Sequence, residues 1–342
     1  MNTVWFLLLA AMLTAYAILD GFDLGVGALL PWVCRTEKER LQARESIGPV
    51  WNGNEVWLLA AGGAMFVAFP RLYASSFSGF YLALMLVLWL LMGRGIGFEF
   101  RHAHHHPLWE GFWDTVFSGS SLLLALLFGV AVGNVLRGVP FDATGEFQGS
   151  FGLMLNPFAL LGGLLSVATL CLHGAAFLAM KTEGPLQERA RRLAGGLWVA
   201  ALLLLLGFVT ASFVVRQGFA ANFGHAPLLL LLPVIVVGAL AAIPVFLRRS
   251  RDHALFAATS VLIASLLGSA AAGLFPRLLP ALGSNPAADL TIYNSASATH
   301  GLVAALVMNL VGMSLVLTYT LYIYKVWSGK VRIEGSHESP AK

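Results

Sequence analysis

Nine stretches of about 20 mainly apolar residues run through the chain, and that is the length of helix needed to cross a hydrocarbon core of roughly 30 Å. They fall at 4–33, 47–69, 77–98, 115–136, 151–180, 194–215, 227–247, 254–274 and 300–327. In lipid, every backbone N–H and C=O must be satisfied inside its own segment, so runs of this kind can form helices and leave no route to an open sheet. The fold class expected is therefore an all-α polytopic membrane protein with nine transmembrane helices. Composition agrees, since 58% of the residues are hydrophobic and only 11% are charged. Both values lie outside the usual range of soluble domains.

The basic residues orient the spans. If the N-terminus is outside and the C-terminus inside, 17 of the 21 Lys and Arg residues fall in inner segments, and only Arg71, Arg137, Arg216 and Arg277 fall outside. Cytoplasmic loops carry such an excess. The formal charge of +4 is then a property of topology, and no nucleic-acid surface is read into it. The first span has no basic flank before it and no small-residue cleavage pattern after it, so no removable signal peptide is expected. Cys34 and Cys171 fall toward the inner side with no metal-ligand spacing, and neither is expected to carry chemistry.

Acids inside apolar runs are the candidates for function, because an ionised carboxylate at mid-membrane costs about 2.5–3.5 kcal/mol even on lenient scales. At 1.5 Å per residue, Asp20 and Asp23 lie roughly 24–29 Å along the first span, and Asn52 and Glu55 lie about 8–12 Å into the second from the same inner side. Glu99 ends the third. Asp20 and Asp23 share a helix face, as do Asn52 and Glu55, because residues three apart are neighbours. Gly21 and Gly25 stand four apart beside them, a small-xxx-small spacing that admits a close partner helix. Asp20 and Asp23 fit either a helix-end salt bridge or proton handling. Glu55, being deeper, is expected to serve function or assembly. Glu99, flanked by Arg94 and Arg101, is expected to join a boundary ion-pair cluster. Trp51 suits an interface anchor, and Trp57 suits packing in the bundle or against a partner.

The histidines bear on cofactors. His102, His104, His105 and His106 form a run in an inner loop and are read as a solvated loop, although such a tract could bind metal. Only His173 and His300 touch apolar spans, and they do so near opposite faces, which makes them poor axial ligands for one haem. No metal or haem ligated by this chain is expected.

Several blocks together resemble the signatures of subunit II of cytochrome bd-type quinol oxidases. They are GFDLGVG at 21–27, WNGNEVW at 51–57 followed by LLAAGG at 58–63, FSGFY at 77–81, RGIGFEFR at 94–101, GNVLRGVP at 133–140 and LNPF at 155–158. The resemblance implies a multi-pass subunit of a terminal oxidase in the bacterial cytoplasmic membrane, in which quinol oxidation is coupled to reduction of O2 to water. A larger subunit I would hold two b-type haems and one d-type haem, and this chain would pair with it, stabilise it and contribute to the cytoplasmic proton path without ligating haem. It further implies two four-helix bundles, about 1–137 and 151–276, with a peripheral ninth helix at about 300–327. A small single-span subunit and a structural lipid or quinone are further partners it would allow.

Carried over by position, Asp23 matches an acid of the family's proton-uptake route. Asn52 stands where many members have Asp, and an amide cannot release a proton at neutral pH. Glu55, one turn along, is expected to supply the missing titratable group. The cyanide-insensitive branch would suit such a variant. A proton-coupled secondary transporter would also need buried acids, but it predicts paired broken helices that the sequence does not suggest. A purely structural scaffold subunit is the third reading.

Overall fold

The computed structural model describes residues 1–142, 144–216, 218–283 and 288–332. Thirteen α-helices among them carry the fold: α1 Asn2–Val33, α2 Glu37–Ile47, α3 Trp51–Ala68, α4 Pro70–Gly79, α5 Tyr81–Glu99, α6 Pro107–Arg137, α7 Phe151–Met154, α8 Pro157–Lys181, α9 Pro185–Val215, α10 Ala221–His225, α11 Leu231–Arg248, α12 Asp252–Leu274 and α13 Thr299–Val326. Short 3₁₀ turns extend α5 at its C-terminal end and α11 at its N-terminal end. Proline sets several starts, because its missing N–H costs nothing at the first helical position. Pro107, Pro157 and Pro185 open α6, α8 and α9. The Asn156 side chain caps α8 by accepting from the Ala159 N–H at 3.0 Å. Thr36 and Glu39 form a reciprocal capping box at the start of the polar helix α2.

Eight helices are long and apolar enough to cross a membrane: α1, α5 with its 3₁₀ extension, α6, α8, α9, α11 with its preceding turn, α12 and α13. The helix expected as the second span differs. α3 is 18 residues long, and Asn52, Asn54 and Glu55 in its first turns pull its mean hydropathy below that of the others. The 47–69 run ends at Phe69 as expected, but Pro70 then opens α4, which continues to Gly79, so the 77–98 run is split at Phe80 between α4 and α5. The 151–180 run is likewise two helices, since Leu155 and Asn156 separate α7 from α8.

α8 is the hub, packing on α1, α6, α9 and α12. Glycine makes this approach close. A Cβ on Gly25 would lie 2.0 Å from the Leu170 carbonyl oxygen and 2.9 Å from the Gly174 Cα, so no side chain fits where α1 crosses α8. The main core cluster runs through these helices, with Phe22 stacked on Phe177 at 4.0 Å between ring centres. α5 and α13 are the opposite case. α13 fully buries only Leu302, and the only fully buried residues of α5 are Arg94 and Gly97. An apolar helix whose interior-facing residues are an arginine and a glycine is anchored by charge.

The α12–α13 connection is folded among its described residues. β1 (Arg277–Leu279) pairs antiparallel with β2 (Leu290–Thr291). Asp289 fixes the turn by accepting from Arg277 Nε at 2.5 Å and from the Ala281 N–H at 2.8 Å.

Candidate functional site

Arg94 collects the acids of the first two expected spans. Its guanidinium forks onto Asp20, with Nη2 to Oδ1 at 2.6 Å and Nη1 to Oδ2 at 2.9 Å. Nη1 also donates to Glu55 Oε1 at 3.0 Å, and Asp23 Oδ2 lies 3.9 Å from Nη2. The Trp51 ring stands 5.9 Å from the guanidinium carbon, within cation–π range. Asp20, Asp23 and Arg94 are fully buried, whereas the Glu55 side chain is 27% exposed. The buried Tyr16 hydroxyl faces Asp20 one turn along α1. Three carboxylates from two helices thus converge on one cation from a third, and the half-open member is Glu55.

Asn54 holds Asp23 in place. Its Nδ2 donates to Asp23 Oδ2 at 2.7 Å and to the Leu19 carbonyl at 3.1 Å, while its Oδ1 accepts from the Tyr324 hydroxyl at 3.0 Å. Only the first of these bonds reaches Asp23, whose Oδ1 has no hydrogen-bond donor among the described residues. Sequence reasoning singled out Asn52, which shares a face with Glu55, but the structure leaves Asn52 exposed and outside the network. Asn54, two residues on and turned inward, is the amide that reaches the acids. Its signal was the Trp51–Asn54–Trp57 spacing of three, which gives the buried stripe of α3.

Glu99 is a correction. It is exposed and joins no ion pair among the described residues, because five residues of helix turn it about 140° away from Arg94. Arg101, seven residues and two turns beyond Arg94, returns to the buried face and feeds a separate cluster. Its Nε donates to Asp114 Oδ1 at 2.9 Å, and its Nη2 reaches Glu37 and, at 3.9 Å, Glu110. Arg44 Nη2 and Arg40 Nη1 bind the same Asp114 at 2.8 and 3.1 Å. Arg44 also lies over the Phe117 ring at 4.8 Å and donates to the Gly97 and Phe98 carbonyls. Asp114 escaped the sequence reading because it immediately precedes the expected start of the fourth span. The pair Arg40 and Arg44, four apart on α2, was the available signal that an acid faces that helix.

Around the sites, Gly21 faces the Leu170 side chain and Gly27 faces Ser121 at distances that a Cβ would violate. Trp51 and Trp57 are buried, the former tilted against Phe98 at 5.3 Å. Cys34 and Cys171 are free and buried, and burial pushes the Cys34 thiol, just beyond α1, up to about 12. The two histidines that touch apolar spans stand apart and in different surroundings. Both ring nitrogens of His173 are engaged, with the Ile18 carbonyl at 3.0 Å and the Thr259 hydroxyl at 2.7 Å, and His300 is exposed at the start of α13. Among the described residues, no three His, Cys, Asp or Glu side chains are grouped to hold a metal ion.

The fold and these buried ionic clusters define a polytopic membrane subunit with a charged interior at one end. Comparison with known proteins gives its family: residues 1–327 match the family described as cytochrome bd terminal oxidase subunit II, and the chain belongs to it. It is 35% identical to the "Probable cytochrome oxidase subunit 2" of Haemophilus influenzae, over 96% of this chain and 94% of that one. It is 34% identical to the "Cytochrome bd-I ubiquinol oxidase subunit 2" of Escherichia coli K12, over 97% and 95%. With the "Cytochrome bd ubiquinol oxidase subunit 2" of Bacillus subtilis 168 it shares 33% identity over 99% and 98%. Its fold matches a chain of the bd oxidase from Geobacillus thermodenitrificans with a TM-score of 0.79 at 19% identity, covering 96% and 98%. The chain is therefore a multi-pass component of a quinol oxidase complex of the bacterial inner membrane, and the transporter reading is set aside.

Proposed function

We propose that this chain is the haem-free subunit that steadies a larger haem-bearing subunit I and gives the complex a proton-handling site around Arg94. The observation that carries this is the charge imbalance. One guanidinium faces three carboxylates in a buried site, and a charge without a partner there neutralises by taking a proton. Glu55 is the natural mouth, since it alone is partly exposed and it sits at the outer margin of α3. Asn52, Val56 and Leu59 lie exposed on the same side. Polar residues on the outside of a membrane helix favour a protein neighbour over lipid, so the faces of α3, α5 and α13 are the natural seat of subunit I.

In this reading α3 is the ninth span, the N-terminus is periplasmic and the C-terminus cytoplasmic. α1 to α6 form one four-helix bundle, α8 to α12 the other, and α13 stays peripheral. Two b-type haems and one d-type haem belong to subunit I, where quinol is oxidised and O2 reduced. A small single-span subunit is compatible with this layout.

The test is Glu55→Gln and Asp23→Asn in the whole oxidase, each measured for quinol-oxidase turnover and charge translocation. Turnover should fall about tenfold or more, the loss expected when a positioned proton-transfer group is removed, while assembly is retained. Intact assembly with unchanged turnover and translocation in both variants supports the scaffold reading instead. The two-pronged Arg94–Asp20 pair on the otherwise exposed α5 is the observation that favours that reading.

A further inference from the structure

At the end of the bundle where α2 lies, a cavity of about 270 Å³ opens between α2, the ends of α8 and α12, and the last turn of α13. The segment after α13 folds over it as a strap. Lys181 Nζ donates to the Trp327 carbonyl at 2.5 Å, the Val331 N–H donates to the Lys181 carbonyl at 2.8 Å, and Gln42 Nε2 donates to the Val331 carbonyl at 2.8 Å. Phe177, Phe256 and Tyr324 form part of the wall, so it is mostly apolar. Besides the Tyr324 phenol, one carboxylate, one imidazole and two amines line it: Glu45, His253, Lys181 and Lys330. Glu45, His253 and Lys330 are exposed and make no ion pair or side-chain hydrogen bond with the described residues, which leaves both signs of charge at one small apolar mouth.

We infer that this cavity seats the headgroup of a zwitterionic phospholipid carrying a primary ammonium, that is, a phosphatidylethanolamine. Its volume lies just under the range of about 300–1,000 Å³ common for ligand pockets, too small for a whole lipid and suited to a headgroup. The exposed Trp327 marks the edge of the apolar layer, where tryptophans concentrate. Above it, α13 buries little besides Leu302 and leaves an apolar flank along which acyl chains can lie. Lys330, with Lys181 behind it, supplies cations for the phosphate, and Glu45 accepts from the ammonium through a charge-assisted hydrogen bond. A choline headgroup has no N–H to give Glu45, and a glycerol headgroup brings no cation and sets a phosphate beside a free carboxylate. Only the primary ammonium pairs with Glu45 through both charge and an N–H while its phosphate meets the lysines. This inference does not depend on the proton-handling role of Arg94.

The experiment is native mass spectrometry of the delipidated oxidase complex in detergent, titrated in turn with phosphatidylethanolamine, phosphatidylcholine and phosphatidylglycerol of identical acyl chains. Phosphatidylethanolamine should bind about tenfold tighter than phosphatidylcholine, equivalent to about 1.4 kcal/mol. Glu45→Gln should bring that ratio close to one, and Lys330→Gln should weaken both lipids. Both substituted residues are exposed, so assembly should survive, and the wild-type ratio is in any case a test that needs no variant. Equal binding of the ethanolamine and choline lipids overturns the inference. So does tightest binding of phosphatidylglycerol, or an ethanolamine preference that persists in Glu45→Gln. Turnover of the same preparations reports separately on the proton-handling site.

Discussion

Around Arg94 one guanidinium serves three carboxylates, whereas around Asp114 one carboxylate serves three guanidinium groups. Both clusters hang on α5 and its extension, two helical turns apart, and both are mostly buried. Their chemistry diverges because arginine does not give up its proton in a protein, whereas a carboxylate can. The Asp114 cluster is a fixed clamp that ties α2 to α5 and α6 at one end of the bundle. The Arg94 cluster has carboxylate to spare, so its charge state can change while Asp20 keeps the helices together. Location follows the same division. The clamp draws on outlying acids that reach water, with Glu37 58% exposed, while the acid-rich cluster meets the exterior only at Glu55.

The comparison breaks most visibly if the central charge of each cluster is removed. Arg94→Gln strands three carboxylates in a buried site, and removing one partner of a buried ion pair costs about 3–5 kcal/mol. Little assembled oxidase should be recovered, and its thermal midpoint should drop sharply. A variant that assembles with a wild-type midpoint would show that Asp20 does not need its cation, and that α5 is held by something other than charge.

Asp114→Asn should cost less, about 1–3 kcal/mol, the usual penalty for a buried polar group losing a partner. Arg44 keeps its bonds to the Gly97 and Phe98 carbonyls and its place over Phe117, and Arg101 keeps Glu37. Turnover per assembled complex should stay at the wild-type level, measured on enzyme normalised to haem content. A fall in turnover without a fall in thermal midpoint would erase the distinction between clamp and proton site.

The sequence showed the solvent, the helices and the acids, because each follows from local chemistry: apolar run length, charge bias and the cost of a carboxylate in lipid. It did not show partner choice. Glu99 stands two residues from Arg101 in sequence but on the far side of the helix, and Arg94 reaches back 74 positions to Asp20. Asn54 and Asn52 differ by two residues, and only the packing of α3 against α1 and α13 decides which amide turns inward. The break at Phe80 was hidden because both sides of it are helical and no proline marks it, unlike the restart at Pro70. The small residues of α1 and α8 were legible as a spacing, but the particular crossing of Gly25 on Gly174 required both helices in place.

The smallest effect comes from a third carboxylate, which tests whether buried charge is what sets the two clusters apart. Asp142, in the surface loop between α6 and α7, is held by neutral donors. The Thr144 hydroxyl and N–H and the Glu146 N–H meet Oδ1 at 2.6, 2.9 and 3.0 Å, and Gln148 Nε2 meets Oδ2 at 2.9 Å. The Thr144 hydroxyl bond is the largest cause, with the Glu146 N–H next, and together they hold its carboxyl down at about 2. A folded value below the unfolded one, about 3.9, means that the carboxylate favours the ordered loop above that pH. That contribution is lost as pH falls through about 2. Hydrogen exchange at the Thr144 and Glu146 amides, corrected for its intrinsic pH dependence, should show steady protection from about pH 7 to pH 4 and lose it only below about pH 3. Loss beginning near pH 4 would mean that the loop does not hold Asp142 as drawn. The global thermal midpoint of Asp142→Asn at neutral pH should barely move, because surface substitutions away from a core have little effect on stability. A large drop would show that an exposed carboxylate bound only by neutral donors can anchor this fold as firmly as a buried ion pair, and the contrast between the two clusters would lose its physical basis.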